Sequence, residues 1–155
     1  MSNKKIYPSQ VKIERANFSI YQLKREYENR KIIIDSNFQR ESIWKTEKQK
    51  SELIESILIG IPLPLIYFSQ DSSGKFKIVK GEEYLFTIFD FINNRFKLSK
   101  LDILSDLEDK SFTDLDGSQQ VDIEDYVVMS YIIKPPTPNI IEKYILDRLY
   151  DWEQK

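Results

Sequence analysis

The sequence contains no cysteine and no histidine among its 155 residues. Without cysteine the chain has no disulfide, no thiolate zinc site and no thiol nucleophile. Without histidine it has no Ser-His-Asp triad, and it lacks the commonest general base and transition-metal ligand. Chemistry at any site in this chain therefore has to come from carboxylates, lysine, arginine, tyrosine and hydroxyl groups.

Charge and hydropathy further limit the classes of protein to which this chain can belong. The 23 basic and 25 acidic residues give a formal net charge of −2, so the whole chain exerts no general attraction on nucleic acid. No apolar run approaches the length of a membrane span, and residues 1–15 contain no signal-peptide core. The composition, with 41% hydrophobic and 31% charged residues, is globular. We expect a cytoplasmic protein with one domain and no membrane association.

The pattern of apolar residues and breakers predicts an α+β fold. Ser19 and Thr46 each stand three residues before a glutamine, which is the spacing of a capping box at a helix N-terminus. Gly60 with Pro62 is predicted to end the second helix. We expect residues 1–17 to be a flexible lead-in, residues 110–125 to be an acidic loop with at most one helical turn, and residues 18–155 to form the domain. The remaining periodicity predicts helices near 20–29, 47–59, 82–92 and 139–152, and strands near 31–34, 65–68, 76–79 and 126–133.

The junction between the third of these predicted strands, near 76–79, and the helix near 82–92 is the most informative candidate site. A helix N-terminus offers unpaired N–H groups and a partial positive charge, and Gly81 lets a ligand approach the backbone. Lys80 and Arg40 can supply positive charge for an anion there. Glu82 and Glu83, however, occupy the predicted first turn, where they satisfy the helix dipole and repel a phosphate. A self-capped helix start is therefore favoured over an anion site.

Two other groups of residues invite a functional interpretation. Gln39 and Arg40, between Phe38 and Trp44, can hold a phosphate bidentately, although an arginine paired to a local carboxylate beside two core aromatics is favoured. The acidic segment suggests a metal site but lacks the spacing of a calcium loop, so a solvated loop is favoured. Its carboxylates are Asp114, Asp116, Asp122, Glu124 and Asp125.

Longer runs carry a family resemblance over about residues 18–148. The chain resembles the ParB/sulfiredoxin-like N-terminal domain of the GmrS part of GmrSD-type, modification-dependent restriction systems, a domain shared by related anti-phage proteins. The runs that carry the resemblance are Phe38-Gln-Arg40 with Trp44, Leu53-Ile-Glu-Ser-Ile-Leu-Ile-Gly-Ile-Pro-Leu-Pro64, Ile66-Tyr-Phe68, Ile78-Val79 with Gly81, Leu85-x-Thr87-Ile-Phe-Asp-Phe91 and Asp147-Arg148.

The resemblance implies a domain that binds and hydrolyses a nucleoside triphosphate beside an HNH-type nuclease partner. The family hallmark is Asp-Gly-Gln-Gln-Arg at the strand–helix junction, and this chain has Lys80, Gly81, Glu82, Glu83 and Tyr84 there. Two carboxylates replace two neutral donors, and the arginine clamp is lost, which inverts the electrostatics that a triphosphate needs. The family's Asn-Arg-Gly-Gly-Thr motif after the Asp-Arg pair is also replaced, because Leu149 follows Arg148.

Three functions follow from these observations. The favoured one is a non-catalytic or impaired member that acts as a binding or regulatory module with a protein partner, a nuclease or defence subunit, and needs no cofactor. The alternative is an NTPase that binds Mg-NTP through Arg40, Lys80 and Arg148, with Glu82 or Glu83 holding the metal ion or the attacking water. A ParB-like nucleic-acid binder comes third, and the acidic net charge counts against it, so contact with nucleic acid is expected to be weak or indirect.

Overall fold

The structure, a computed structural model, describes residues 11–34, 46–135, 137 and 139–153. These residues form five strands and five α-helices of an α+β domain. In chain order the elements are β1 (Ile13–Ser19), α1 (Ile20–Glu28), β2 (Ile32–Ile34), α2 (Glu47–Ile59), β3 (Ile66–Gln70), β4 (Phe76–Lys80), α3 (Glu82–Ile92), α4 (Gly117–Glu124), β5 (Val127–Ile133) and α5 (Asn139–Glu153).

The strands form one mixed sheet in the order β1-β5-β3-β4-β2. The β3–β4 hairpin is antiparallel, whereas β5 lies parallel to β3 and β2 lies parallel to β4. Strand β1 pairs antiparallel with β5 along its whole length, from Ile13 opposite Ile133 to Ser19 opposite Val127. The hairpin thus lies within the sheet, between β5 on one side and β2 on the other.

One face of the sheet, called here the inner face, carries the hydrophobic core. Phe68 and Ile78 project from the hairpin into a cluster of buried residues contributed by α1, α2, α3 and α4. Successive side chains of a strand point to opposite faces, so Ser69 and Lys77 lie on the other, outer face. Both of them contact Glu142 of α5, which places this helix on the outer face.

Local sequence signals explain why the helices begin and end where they do. The Ser19 hydroxyl accepts from the backbone N–H of Gln22, and the Thr46 hydroxyl accepts from the backbone N–H of Gln49. Helix α2 ends at Gly60, whose φ of 94° is in the left-handed region that glycine tolerates. The predicted N-caps and the predicted end of α2 are therefore confirmed.

Two predictions from the sequence are wrong. Residues 13–17, assigned to the flexible lead-in, belong to β1, because their backbone groups pair with β5 even though their side chains show little apolar alternation. The segment 110–125 is not a loop with one helical turn, because it contains a 3-10 turn at Phe112–Asp114 and the whole of α4.

Candidate functional site

The junction between β4 and α3 is built around Gly81. Its φ of 107° lies in the left-handed region, and α3 begins at the next residue. A Cβ at this position would lie 3.0 Å from Cγ1 of Ile66 and 3.4 Å from two atoms of Tyr84. The left-handed backbone thus favours glycine, and a Cβ would in addition force Ile66 to shift by a few tenths of an ångström. A ligand is not needed to explain why this position holds glycine.

Tyr84 is the residue that fills the space against Gly81. Its side chain is only 5% exposed, and its hydroxyl donates a hydrogen bond to the backbone carbonyl of Pro64. This contact ties the first turn of α3 to the loop that joins α2 to β3. At the position where the resemblance implies an arginine, this chain therefore has an aromatic ring packed into the core.

The remaining junction residues lie where the sequence predicted them. Glu82 and Glu83 are the first two residues of α3, and Lys80 is the last residue of β4, half-buried and paired in register with Tyr67. The N-cap residue of α3 is Gly81, so the helix start has no side-chain cap. A carboxylate in the first turn, such as that of Glu83, stabilises the helix dipole by about 0.3–1 kcal/mol and disfavours a phosphate beside it.

Not all the predicted site residues come together. Arg148 is exposed on α5, the helix that meets the sheet through Glu142 at the opposite, turn end of the hairpin. Gln39 and Arg40 lie outside the described residues, as do Phe38 and Trp44. Of the eight predicted site residues, the described structure brings together only the contiguous run from Lys80 to Tyr84.

A second polar cluster, which sequence reasoning missed, lies at the turn end of the hairpin. One carboxylate oxygen of Glu142 accepts from the hydroxyl of Ser69, and the other lies 3.1 Å from the ammonium of Lys77. Nearby, the ammonium of Lys134 lies 2.5 Å from the side-chain oxygen of Gln70. The signal in the sequence was a charged residue, Lys77, between Phe76 and the apolar pair Ile78 and Val79.

Glu55 is a buried carboxylate whose role has no signal in the sequence. It is 4% exposed and accepts hydrogen bonds from the backbone N–H groups of Ile103 and Leu104, at 2.9 and 2.8 Å. The charge of Glu55 is thus satisfied by a loop that packs over α2. This arrangement anchors the loop and does not resemble a general acid or base, which would face a cleft.

Two carboxylates of the acidic segment at residues 110–125 cap helical turns. Asp116 is the N-cap of α4 and forms a capping box with Gln119. Asp114 accepts from the backbone N–H and the hydroxyl of Ser111, and these hydrogen bonds, the backbone one first, lower the pKa of the Asp114 carboxyl. Across the described part of the chain, no three acidic side chains converge as a metal site would require. Two of the five carboxylates therefore serve as caps.

The fold and the junction define the class of protein: a small α+β domain with a strand–glycine–helix junction after β4, the strand next to the edge strand β2. The family model of the GmrSD restriction endonuclease N-terminal domain matches residues 20–154, so the chain belongs to this family. No curated protein and no solved structure matches the chain. Within the described residues, no helix is both long enough and apolar enough to cross a membrane.

Proposed function

We propose that this chain is a non-catalytic or catalytically impaired GmrSD-type domain, acting as a binding or regulatory module in a DNA restriction or anti-phage system. Family membership supports the association with restriction. The junction supports the lack of catalysis, because four of the five hallmark positions carry residues that differ from the family in charge or polarity. The module acts in the cytoplasm through a protein partner and needs no cofactor.

The observation that carries this proposal is the packing of Tyr84. A phosphate-binding arginine has to present its guanidinium to a ligand, whereas Tyr84 turns inward and donates its hydroxyl to Pro64. With the ring against Gly81, the side of the glycine from which a Cβ would project is filled by protein atoms. The junction is then a packed structural joint, and Glu82 and Glu83 add negative charge where a triphosphate would need donors.

The outer face of the sheet supports a binding role. Val127 and Met129 of β5 are 53% and 59% exposed, although both lie within a strand in the sheet interior. Ile133 of the same strand is fully buried, so coverage of this face declines along β5 toward Val127. Exposed apolar side chains grouped on one face are typical of protein–protein contact sites.

Nucleotide titration by thermal shift tests the proposal. A ligand that binds only the folded chain raises the melting temperature by several degrees when present at about one hundred times its Kd. We expect no saturable shift with ATP, GTP or CTP in the presence of Mg²⁺ that is lost in the variant Lys80→Gln. A saturable shift with any of the three that Lys80→Gln abolishes would contradict the proposal and favour the NTPase function, in which Lys80 replaces the lost arginine.

A variant with four substitutions serves as the positive control for nucleotide binding at the junction. Combining Lys80→Asp, Glu82→Gln, Glu83→Gln and Tyr84→Arg restores the family hallmark around Gly81. We expect the nucleotide-dependent shift of this variant to exceed that of the natural chain, because neutral donors and a guanidinium return to the helix start. A mobility shift on DNA that weakens steeply with salt would instead support the ParB-like nucleic-acid binder.

A further inference from the structure

A polar cavity lies on the outer face at the turn end of the β3–β4 hairpin, opposite to the Gly81 junction. Its volume is about 350 Å³, which falls within the range of small-molecule sites in proteins. Strands β3 and β4, the turn between them, the segment after β5 and the start of α5 all contribute to its wall. The polar side chains that line it include Ser69, Lys75, Lys77, Lys134, Thr137 and Glu142.

Positive charge exceeds negative charge in this cavity. Three lysines from three separate segments line it, Lys75 from the turn, Lys77 from β4 and Lys134 from the segment after β5, against the two carboxylates of Asp71 and Glu142. The difference of three minus two leaves one net positive charge. Asp71 is committed to the turn, because one of its oxygens accepts from the hydroxyl and backbone N–H of Ser73 and from the backbone N–H of Lys75.

The cavity already holds one anion, and that anion belongs to the chain itself. The carboxylate of Glu142 is bound through both oxygens, by the hydroxyl of Ser69 and by the ammonium of Lys77 at 3.1 Å. The side chains of Glu142 and Lys77 are 13% and 28% exposed, so the pair is largely shielded from solvent. A hydroxyl and an ammonium that converge on two oxygens of one group are also what a phosphate requires.

Lys134 carries a further positive charge at the wall of the cavity. Its ammonium lies 2.5 Å from the side-chain oxygen of Gln70 and 3.7 Å from a carboxylate oxygen of Glu14, a residue that does not line the cavity. The contact with Gln70 is not an ion pair, because glutamine is neutral. The contact with Glu14 is long and poorly shielded, because Glu14 is 58% exposed. Lys134 therefore retains more electrostatic attraction for an incoming anion than Lys77, which has Glu142 beside it.

We propose that this cavity binds a small phosphate-bearing molecule, attracted by Lys134 and Lys75 and competing with the Glu142 carboxylate for Ser69 and Lys77. The site is separate from the Gly81 junction and goes beyond the proposed function. Because Glu142 belongs to α5, binding at this cavity weakens one of the contacts that hold α5 on the outer face. The ligand and the helix are then coupled through one carboxylate.

The test is a titration of the full chain with inorganic phosphate, followed by backbone amide shifts and compared with sodium chloride at matched ionic strength. We expect saturable shifts for residues of the turn and of the segment after β5. Lys134→Gln should weaken phosphate binding about threefold to tenfold, since a charge-assisted contact is lost. Glu142→Gln should strengthen binding by a similar factor, because it removes the competing anion while keeping the shape of the side chain.

Two further variants keep the test decisive. Lys24→Gln removes one positive charge from α1, outside the cavity, and should leave phosphate binding unchanged. Lys75→Gln changes an exposed turn residue, so it should fold normally and still weaken binding. Equal weakening by Lys24→Gln and Lys134→Gln, no gain in Glu142→Gln, no saturable response to phosphate, or shifts centred on Gly81 would each overturn the proposal.

Discussion

The two ends of the β3–β4 hairpin differ in how the chain fills them. At one end an aromatic ring and an aliphatic chain pack against Gly81, and a tyrosine hydroxyl closes the contact to Pro64. At the other end lysines, a glutamate and hydroxyls surround a cavity of about 350 Å³. Packing and backbone conformation therefore account for the glycine at the strand–helix junction, whereas the lysines and carboxylates converge at the opposite end of the same hairpin.

The largest expected effect on stability comes from adding a Cβ at Gly81, compared with adding one at Gly74 at the other end of the hairpin. Gly81→Ala should lower the free energy of unfolding by about 2–4 kcal/mol, because it combines left-handed backbone strain of about 1–2 kcal/mol with a 3.0 Å contact to Ile66. Gly74→Ala, in the turn at the other end, is the matched control. Its φ is 91° and a Cβ there meets nothing within 4 Å, so only the strain applies. Equal losses for the two variants in urea unfolding would contradict the packed junction.

Removal of the tyrosine hydroxyl should have the next largest effect. Tyr84→Phe leaves the carbonyl of Pro64 without this donor and should lower the free energy of unfolding by about 1–2 kcal/mol. Tyr144→Phe, at a position that is 50% exposed on α5, should change stability by less than about 0.5 kcal/mol. If the two variants melt alike, the hydroxyl of Tyr84 does not hold the junction.

A smaller effect is expected at the charged end. A double-mutant cycle of Lys77→Met and Glu142→Gln should show a favourable coupling of about 0.5–1 kcal/mol, as suits a partly shielded ion pair. The same cycle on Lys48 and Asp102, a more exposed pair at 3.1 Å, should give a smaller coupling. A coupling near zero at Lys77 and Glu142 would mean that the pair does not fasten α5 to the sheet.

The smallest expected effect concerns pH. The hydroxyl of Ser73, with smaller help from neighbouring backbone N–H groups, lowers the pKa of Asp71 in the folded chain. A carboxyl with a lowered pKa stabilises the fold above its unfolded value of about 3.9, and this contribution is lost as the pH falls through the folded pKa. Asp71→Asn should therefore flatten the decline in stability below about pH 4. Identical acid profiles for the variant and the natural chain would refute this role.

Much of the fold was predictable because its signals are local. Ser19 and Thr46 are N-cap residues that indicate where helices begin, and Gly60 indicates where α2 ends. The turn of the hairpin is rich in residues that favour turns. Strand β1 escaped prediction because it is an edge strand with mostly exposed side chains, so burial left little pattern in its sequence. Helix α4 escaped because acidic residues obscured the capping signal formed by Asp116 and Gln119.

The candidate site was predictable only in part. The run from Lys80 to Tyr84 is contiguous, so its position at the junction follows from the order of elements. The inward packing of Tyr84 depends on Pro64, twenty positions earlier, and the contact between Ser69 and Glu142 joins residues 73 positions apart. Contacts at such separation depend on how strands and helices assemble, which a single sequence does not display.

One measurement compares both ends of the hairpin directly. Backbone amide shifts of the natural chain are followed during separate titrations with Mg-ATP and with inorganic phosphate. A packed junction predicts that the amides of residues 81–85 stay unchanged with both ligands, while the amides of residues 69–77, 134, 137 and 139–142 respond to phosphate. A saturable shift of the Gly81 amide with Mg-ATP would contradict the central claim, because it would place a nucleotide at the helix start that Tyr84 is proposed to close.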